Sequence, residues 1–220
     1  MSYPVNLDIC GKICVVIGGG HVAFRKITGL LNAGGKVIVI APEVCDDIKK
    51  LSENHKIEWW KQKYFSGCLP EGLILIAAAN DEKINEQAAN EAAKKHMLVN
   101  VVNKKITGIN TFNVPSVIRK KNFMLTISTE GLSPAFSKYI RQKLETQFND
   151  NFAEWLFKLS KIRDEVKNII KDANIREEFW QNVMSDENYY LVQNGELEKA
   201  EVNIKNVLDG YRCKSQNCTD

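Results

Sequence analysis

The chain has 220 residues, of which 44% are hydrophobic and 26% are charged, and its formal net charge at pH 7 is +3. These proportions are ordinary for a soluble globular protein. A net charge this small does not by itself indicate a nucleic-acid partner.

Two further features bear on location. No apolar run approaches the roughly 20 residues that a membrane-spanning helix needs. The first 12 residues, MSYPVNLDICGK, lack the basic and apolar regions of a secretory signal. We therefore expect a cytoplasmic protein without a membrane partner.

The first predicted element is a buried strand that runs directly into a glycine turn and a helix. Residues 13–17 are apolar and mostly β-branched, Gly18–Gly20 follow, and a helical apolar pattern begins at residue 22. This order is typical of the phosphate-binding corner of a dinucleotide fold. Gly18 would allow the tight turn, Gly20 the close approach of a pyrophosphate, and Ala23 the packing of helix on strand. The alternative is a glycine-rich turn that binds nothing.

The helix that follows the glycines would offer unpaired backbone N–H groups and a partial positive charge to phosphates. Other cofactor neighbours should lie at the carboxyl ends of the adjacent strands. The residues that we assign to the cofactor site are Gly18, Gly20, His21, Val22, Ala23, Pro42, Glu43, Ala78 and Asn80.

Strands and helices alternate through residue 102. The patterns predict strands at 36–41, 57–60, 73–79 and 98–102, and helices at 43–54 and from Asp81, as N-cap, to about 95. Residues 65–72 read as a loop. This alternation indicates βαβ units and a parallel sheet.

The pattern changes after residue 103. Short strands are predicted at 111–113 and 123–128, separated by a basic turn at 119–122. A helix should run from Pro134 to about 148 with Ser133 as N-cap, and from residue 151 onward only helical spacing is seen. The fold class is therefore α/β, a Rossmann-like parallel sheet with a small β-containing middle part and a helical C-terminal domain. The predicted parts are 1–110 (NAD-binding), 111–149 (middle) and 150–220 (helical).

Metal and redox sites are not indicated by the spacing of cysteine and histidine. The six cysteines include no C-x-x-C pair, and no histidine–carboxylate cluster has ligand spacing, so we predict no bound metal. Cys10 and Cys14 are expected to be small buried hydrophobes. Cys213 and Cys218 lie in a polar tail and receive no role.

The three histidines differ in position. His21 lies in the glycine turn beside the expected cofactor, whereas His55 and His96 are expected at helix ends. Asp81 could act as a catalytic acid, but N-capping is the simpler role.

Basic residues are concentrated between residues 119 and 143, where six of them stand against one acid, Glu130. This asymmetry could attract an anionic ligand. A solvated helix face with a hairpin turn is the equally simple reading.

Five motifs occur in a fixed order along the chain. They are GGGHVAFRK at 18–26, AAND at 78–81 with Asn85, VNVV at 99–102, FNVPS at 112–116 and STEGLSP at 128–134. This succession resembles the precorrin-2 dehydrogenase / sirohydrochlorin ferrochelatase family, the siroheme synthases. The resemblance runs from about residue 5 to 148, and the helical remainder matches in type only. From the 220 residues we do not expect the methyltransferase domain that fused members carry.

The resemblance implies NAD-dependent oxidation of precorrin-2 to sirohydrochlorin in siroheme and cobalamin biosynthesis. It also implies a homodimer and, in some members, insertion of Fe²⁺, with Fe²⁺ or Co²⁺ as a possible substrate here. Precorrin-2 is a polycarboxylate, so the basic and hydroxyl side chains of this region become candidates for binding it. These candidates are Asn113, Arg119, Lys120, Ser128, Thr129, Ser133, Lys138 and Arg141.

One position departs from the family pattern. After VNVV the family has an aspartate that is implicated in catalysis, whereas this chain has Asn103, followed by Lys104. An amide cannot accept a proton at neutral pH. Asn103 could still orient the substrate, so we expect metal insertion to suffer more than dehydrogenation.

The sequence supports three hypotheses about function. The first is an NAD-dependent precorrin-2 dehydrogenase. The second is a tetrapyrrole- or nucleotide-binding protein whose catalysis is weakened by Asn103. The third is a nucleotide-sensing regulatory domain. No arginine follows the second strand to hold a 2′-phosphate, which favours NAD over NADP.

Overall fold

The structure is a computed structural model that describes residues 2–102 and 111–216, with side chains to residue 212. The chain divides into two compact units, Met1–Val114 and Pro115–Asp220. The second unit contains most of the predicted middle part and all of the predicted helical domain. The boundary between those two parts, at residue 149, stays a prediction.

The first unit is built on a five-stranded sheet whose strands are all parallel, in the order β3-β2-β1-β4-β5. This is the doubly wound strand order of dinucleotide-binding folds, and it confirms the predicted Rossmann-like class. The elements are β1 Ile13–Ile17, α1 His21–Asn32, β2 Lys36–Ile40, α2 Asp46–Glu53, β3 Glu58–Trp60, β4 Ile74–Ala77, α3 Glu82–Lys94 and β5 Leu98–Val101.

Both faces of this sheet are buried, which explains why its strands are continuous apolar runs. Val15 and Ile17 of β1 pack on the side of α3, whereas Cys14 and Val16 pack on the side of α1 and α2. Alternate residues of one strand therefore belong to two separate layers of core.

Helix α2 begins later than its sequence pattern predicts, at Asp46 rather than residue 43. The reason is a tertiary hydrogen bond, in which the Cys45 N–H donates to the Gly19 carbonyl oxygen at 2.8 Å. Residues 42–44 are not helical, and the Glu43 carbonyl oxygen packs against Gly19 of the glycine turn.

The two cysteines near β1 differ in environment. Cys14 is buried as predicted, and burial raises the pKa of its thiol to about 11. Cys10 is exposed, so its predicted burial is wrong. Its backbone N–H donates to the Asp8 carboxylate at 3.0 Å, which keeps it in a surface turn before the strand begins.

The second unit opens with an antiparallel hairpin, followed by helices. Its elements are β6 Ser116–Lys120, β7 Phe123–Ile127, α4 Pro134–Gln147, α5 Asp150–Ile169, α6 Ala173–Val183, α7 Asp186–Gln193 and α8 Leu197–Gln216. Ser133 caps α4 as predicted, because its hydroxyl oxygen accepts from the Phe136 N–H at 3.2 Å. The α5–α8 apolar stripes form a core around Ile162, Phe179 and Ile204.

The expected strand at 111–113 is wrong, and the hairpin strand lies instead at Ser116–Lys120. Thr111 runs beside β5, where its N–H donates to the Val99 carbonyl at 2.9 Å and its hydroxyl accepts from the Val99 N–H at 2.7 Å. No second strand partners it. Arg119 and Lys120 accordingly lie within a strand rather than in the turn.

Within the described residues, no helix is both long enough and sufficiently apolar to cross a bilayer.

Candidate dinucleotide-binding site

A cavity of about 540 Å³ opens at the carboxyl ends of β1, β2 and β4. The strand order reverses between β1 and β4, and this reversal point is where ligands bind in open α/β sheets. The lining consists of the ends of these strands and the turns that follow them, the first residue of α1, one residue of α3 and two residues after β3. These residues are Ile17, Gly18, Gly19, Gly20, His21, Ile40, Ala41, Pro42, Glu43, Val44, Cys45, Lys63, Tyr64, Ala78, Ala79, Asn80, Asp81 and Ile84.

The three consecutive glycines differ in the space that a Cβ atom would have at each position. Gly18 has a φ of +113°, and a Cβ there would lie 2.4 Å from the Ala78 carbonyl oxygen. A Cβ on Gly19 would lie 2.1 Å from the Glu43 carbonyl oxygen. A Cβ on Gly20 would meet no atom within 4 Å. The first two glycines are therefore required by packing, whereas the third leaves open space beside the cavity.

Helices α1 and α2 both begin at this cavity, and neither has a side-chain cap. Gly20 caps α1 and Cys45 caps α2 without a side-chain hydrogen bond. By contrast, α3 to α7 are each capped by a side-chain oxygen. The first N–H groups of α1 and α2 are thus left for another acceptor, such as a phosphate.

The wall opposite α2 is the turn between β4 and α3. The Asp81 carboxylate accepts from the Lys83 N–H at 2.9 Å, which confirms the capping role predicted for this residue. The Asn85 side chain is 1% exposed and bonds both backbone groups of Ala79. Buried amide contacts therefore hold this wall in place.

Seven of the nine residues assigned to the cofactor line the cavity. They are Gly18, Gly20, His21, Pro42, Glu43, Ala78 and Asn80. The other two lie elsewhere. Ala23 is buried in the layer between α1 and the sheet, where it has the packing role predicted for it. Val22 is 41% exposed and does not line the cavity.

Lys63 and Tyr64 also line the cavity, and the sequence patterns did not indicate them. The Tyr64 hydroxyl donates to the Glu91 carboxylate at 2.6 Å. Burial, followed by the hydrogen bond to Glu91, raises the pKa of Tyr64 well above its usual value. Because Glu91 lies on α3, far along the chain, only the fold brings this pair together.

A second unpredicted group lies at the rim of the cavity. The ligand atoms of His21, Cys45 and Asp47 all lie within 4.8 Å of one another. His21 and Asp47 are exposed, and Cys45 is half-buried. The sequence spacing gave no sign of this group, because its members come from two different βα turns.

The basic side chains of the second unit are partly neutralised by acids that lie outside the 119–143 segment. Lys120 lies 3.4 Å from Asp150, and Arg141 lies 2.6 Å from Glu145. Arg119 contacts the Met124 sulfur at 2.8 Å. Lys138 is exposed on α4. The excess of positive charge is therefore smaller than the sequence segment indicates.

The candidate hydroxyl groups are engaged in the turn before α4. The Thr129 hydroxyl accepts from the Ser133 N–H at 3.2 Å and contacts the Ser137 hydroxyl at 3.0 Å. The Ser128 hydroxyl accepts from the Glu130 N–H at 3.2 Å. The structure thus gives these side chains a part in shaping the turn.

The two remaining candidates are asparagines. Asn113 is exposed at the end of the first unit. Asn103, like Lys104, lies outside the described residues. The asparagine of the preceding VNVV motif, Asn100, is buried, and its amide donates to the Phe112 carbonyl at 3.0 Å.

Comparisons with known proteins agree with this geometry. Residues 5–116 match a family model described as "Putative NAD(P)-binding". The chain is 32% identical to a siroheme synthase of Photorhabdus laumondii over 211 residues, which are 95% of this chain and 44% of that protein. It is also 32% identical to a siroheme synthase of Psychromonas ingrahamii, over 91% of this chain and 42% of that protein. The chain thus spans less than half the length of these relatives.

Among solved structures, the fold is similar to that of SirC, a precorrin-2 dehydrogenase, with a TM-score of 0.69 and 24% identity. The match covers 91% of this chain and 99% of SirC. The sequence relatives confirm the resemblance that the ordered motifs indicated, and the solved structure confirms the fold.

Proposed function

The chain belongs to the NAD(P)-binding family whose model matches residues 5–116, and from this premise we propose that it is an NAD-dependent precorrin-2 dehydrogenase. The reaction would convert precorrin-2 to sirohydrochlorin for siroheme or cobalamin biosynthesis, in the cytoplasm. Similarity to siroheme synthases over 95% of the chain supports this choice of substrate.

The observation that carries the proposal is the glycine turn that delivers the uncapped N-terminus of α1 to the cavity. A pyrophosphate would accept hydrogen bonds from the backbone of Gly20 and His21, and the open space beside Gly20 permits its approach. When bound, NAD supplies the acceptor for the hydride. The protein's contribution would be to position the two reactants and to limit the access of water.

We propose NAD rather than NADP because Glu43 follows β2 and lines the cavity. A carboxylate there suits the ribose hydroxyl groups and repels a 2′-phosphate. Lys63, which also lines the cavity, is the group that would favour a phosphate. Titrating the protein with both cofactors tests the preference, and tighter binding of NADP would contradict it.

The polycarboxylate substrate would be bound by side chains of residues 113–141. Lys138 is exposed, and the ion pairs of Lys120 and Arg141 involve partly exposed side chains. Such pairs have little net stability in water and can exchange one carboxylate for another. The other residues that we propose for binding the substrate are Asn113, Arg119, Ser128, Thr129 and Ser133.

Asn103 would orient the substrate by hydrogen bonds and would not act as a base. Hydride transfer depends mainly on positioning, whereas insertion of Fe²⁺ or Co²⁺ requires a base for the pyrrole protons. The proposal is therefore dehydrogenase activity with weak metal insertion. The alternative is a binding protein with weakened catalysis, which the Asn103-Lys104 pair supports.

One assay separates these possibilities. Purified protein is mixed with precorrin-2 and NAD, and NADH formation is followed by absorbance, before and after addition of Fe²⁺ or Co²⁺. The dehydrogenase proposal expects turnover, and its absence at high enzyme concentration would overturn it. A large increase in the rate of the Asn103→Asp variant would instead support the alternative, a binding protein with weakened catalysis. Asn122→Asp is the matched control and should leave the rate unchanged.

A homodimer would form through α4. Three large apolar side chains at its start are exposed, namely Leu132 (91%), Phe136 (55%) and Tyr139 (53%). Burying such a surface against a second copy would be favourable. Sedimentation tests this, with Phe136→Asp expected to give monomers and Val202→Asp on α8 expected to leave the dimer intact.

A further inference from the structure

The group of side chains at the rim of the cavity has no role in the proposed oxidation. We propose that His21, Cys45 and Asp47 form a binding site for a divalent transition-metal ion of the Zn²⁺ or Co²⁺ type. Their ligand atoms, an imidazole nitrogen, a thiol sulfur and a carboxylate oxygen, lie within 4.8 Å of one another. This inference is independent of precorrin-2.

The backbone holds the three residues close together. His21 is the first residue of α1, Cys45 is the N-cap of α2, and Asp47 lies in the first turn of α2. The two turns are joined by the hydrogen bond from the Cys45 N–H to the Gly19 carbonyl, at 2.8 Å. The pairing of Ile17 with Ile40 aligns the strands that lead into them. The separation of the ligands is thus set by the sheet.

The side chains themselves are available for coordination. None of the three makes a hydrogen bond or an ion pair with another side chain or backbone group among the described residues. Cys45 does not use its sulfur to cap α2. Tetrahedral zinc sites place their ligand atoms about 3.5 Å apart, given bonds of roughly 2.0–2.3 Å. Since His21 and Asp47 are exposed, small side-chain rotations could bring the three ligand atoms to that separation.

The ligand types select the class of metal. A thiolate and an imidazole favour borderline and soft ions over Mg²⁺ and Ca²⁺, which prefer oxygen ligands. Three protein ligands also leave one position of a tetrahedral ion open. The carboxylate of Asp47, in the first turn of α2, also offsets the repulsion between a cation and the positive ends of α1 and α2.

The location gives the site a consequence for the dinucleotide. His21 and Cys45 both line the cavity, so a bound ion would lie beside the space proposed for the pyrophosphate. The open coordination position could then accept a phosphate oxygen or a water molecule. Either way, the ion and the nucleotide would occupy neighbouring space.

The test is a titration of the full chain with Co²⁺ in the absence of nucleotide. One equivalent should bind and produce a thiolate-to-cobalt charge-transfer band together with the visible bands of tetrahedral cobalt. Cys45→Ser should abolish the charge-transfer band. His21→Gln and Asp47→Asn should weaken binding by roughly tenfold or more, because each removes one of three protein ligands.

Matched controls retain the residue types but lie elsewhere. Cys10→Ser, His55→Gln and Asp46→Asn should leave the band and the affinity unchanged. Absence of the band, or its loss in Cys10→Ser rather than Cys45→Ser, would overturn the proposal. If Cys45→Ser does not fold, the comparison of Asp47→Asn with Asp46→Asn tests the proposal instead, because both residues lie on the surface. Only Asp47→Asn should weaken Co²⁺ binding. The readout uses neither NAD nor precorrin-2, so it stands apart from the proposed oxidation.

Discussion

The side-chain amide of Asn85 forms two hydrogen bonds with the backbone of Ala79. Its nitrogen donates to the Ala79 carbonyl at 2.8 Å, and its oxygen accepts from the Ala79 N–H at 2.9 Å. Ala79 follows β4 and lines the cavity, whereas Asn85 lies within α3. A buried amide therefore satisfies both polar groups of a residue that forms the wall of the site.

Replacing Asn85 by alanine should destabilise the first unit by about 2 kcal/mol, because Ala79 would lose both buried partners. NAD affinity should fall as well, since the turn that lines the cavity loses its support. Urea unfolding and calorimetric NAD titration measure the two effects. Asn90→Ala, an exposed asparagine on the same helix, should change neither. Equal effects of the two substitutions would contradict this account.

Two alanine substitutions in the glycine turn should have different effects, one mainly on stability and the other mainly on NAD binding. Gly18→Ala places a methyl group 2.4 Å from the Ala78 carbonyl oxygen at a φ of +113°, so we expect a loss of stability of a few kcal/mol, roughly 2 or more. Gly20→Ala meets no atom within 4 Å and should cost less than about 1 kcal/mol. Its effect should appear instead as weaker NAD binding. A stable, fully binding Gly20→Ala protein would argue against phosphate at this turn.

The contacts of Glu91 predict how the first unit responds to acid. Burial by itself raises the pKa of Glu91, but hydrogen bonds from Tyr64 and from the Gly67 and Leu69 N–H groups outweigh it, and the net pKa is lowered. A carboxyl whose pKa is lower in the folded state stabilises the fold above its unfolded pKa, and this contribution is lost as pH falls through the folded value.

Glu91→Gln should therefore reduce stability at neutral pH and flatten its loss on acidification. Urea unfolding midpoints measured between about pH 6 and pH 3, on either side of the ordinary glutamate pKa, test this. The matched control is Glu86→Gln, an exposed glutamate of α3. If both variants follow the wild-type pH profile, the carboxylate has no such role.

In the second unit, hydrogen bonds from Lys158 at 2.7 Å and Lys205 at 2.6 Å lower the pKa of Glu201 to about 2. The stabilising contribution of Glu201 should thus be present above the ordinary glutamate pKa, about 4.3, and be lost as the pH falls towards 2. Titration of the side-chain carboxyl carbon by NMR measures the value directly. A Glu201 midpoint near the ordinary glutamate value, about 4.3, would contradict the prediction.

Some features were predictable because they depend on neighbours in the chain. The run 13–17, the glycines after it and the capping residues Asp81 and Ser133 were assigned correctly. The strand at Ser116–Lys120 was missed because its charged end reads as a turn, and its pairing with β7 decides its conformation. The start of α2 was misplaced for a related reason, namely its bond to Gly19.

The sequence by itself determined the order of strands and helices up to residue 102, the glycine corner and its resemblance to siroheme synthases, because these follow from periodicity and local motifs. Only the tertiary structure decided which residues meet at the cavity. Lys63, Tyr64 and the group of His21, Cys45 and Asp47 are brought there by parallel strands whose carboxyl ends share one edge. Pairing of parallel strands brings together residues that are far apart in the sequence, and no local sequence pattern indicates which of them will meet.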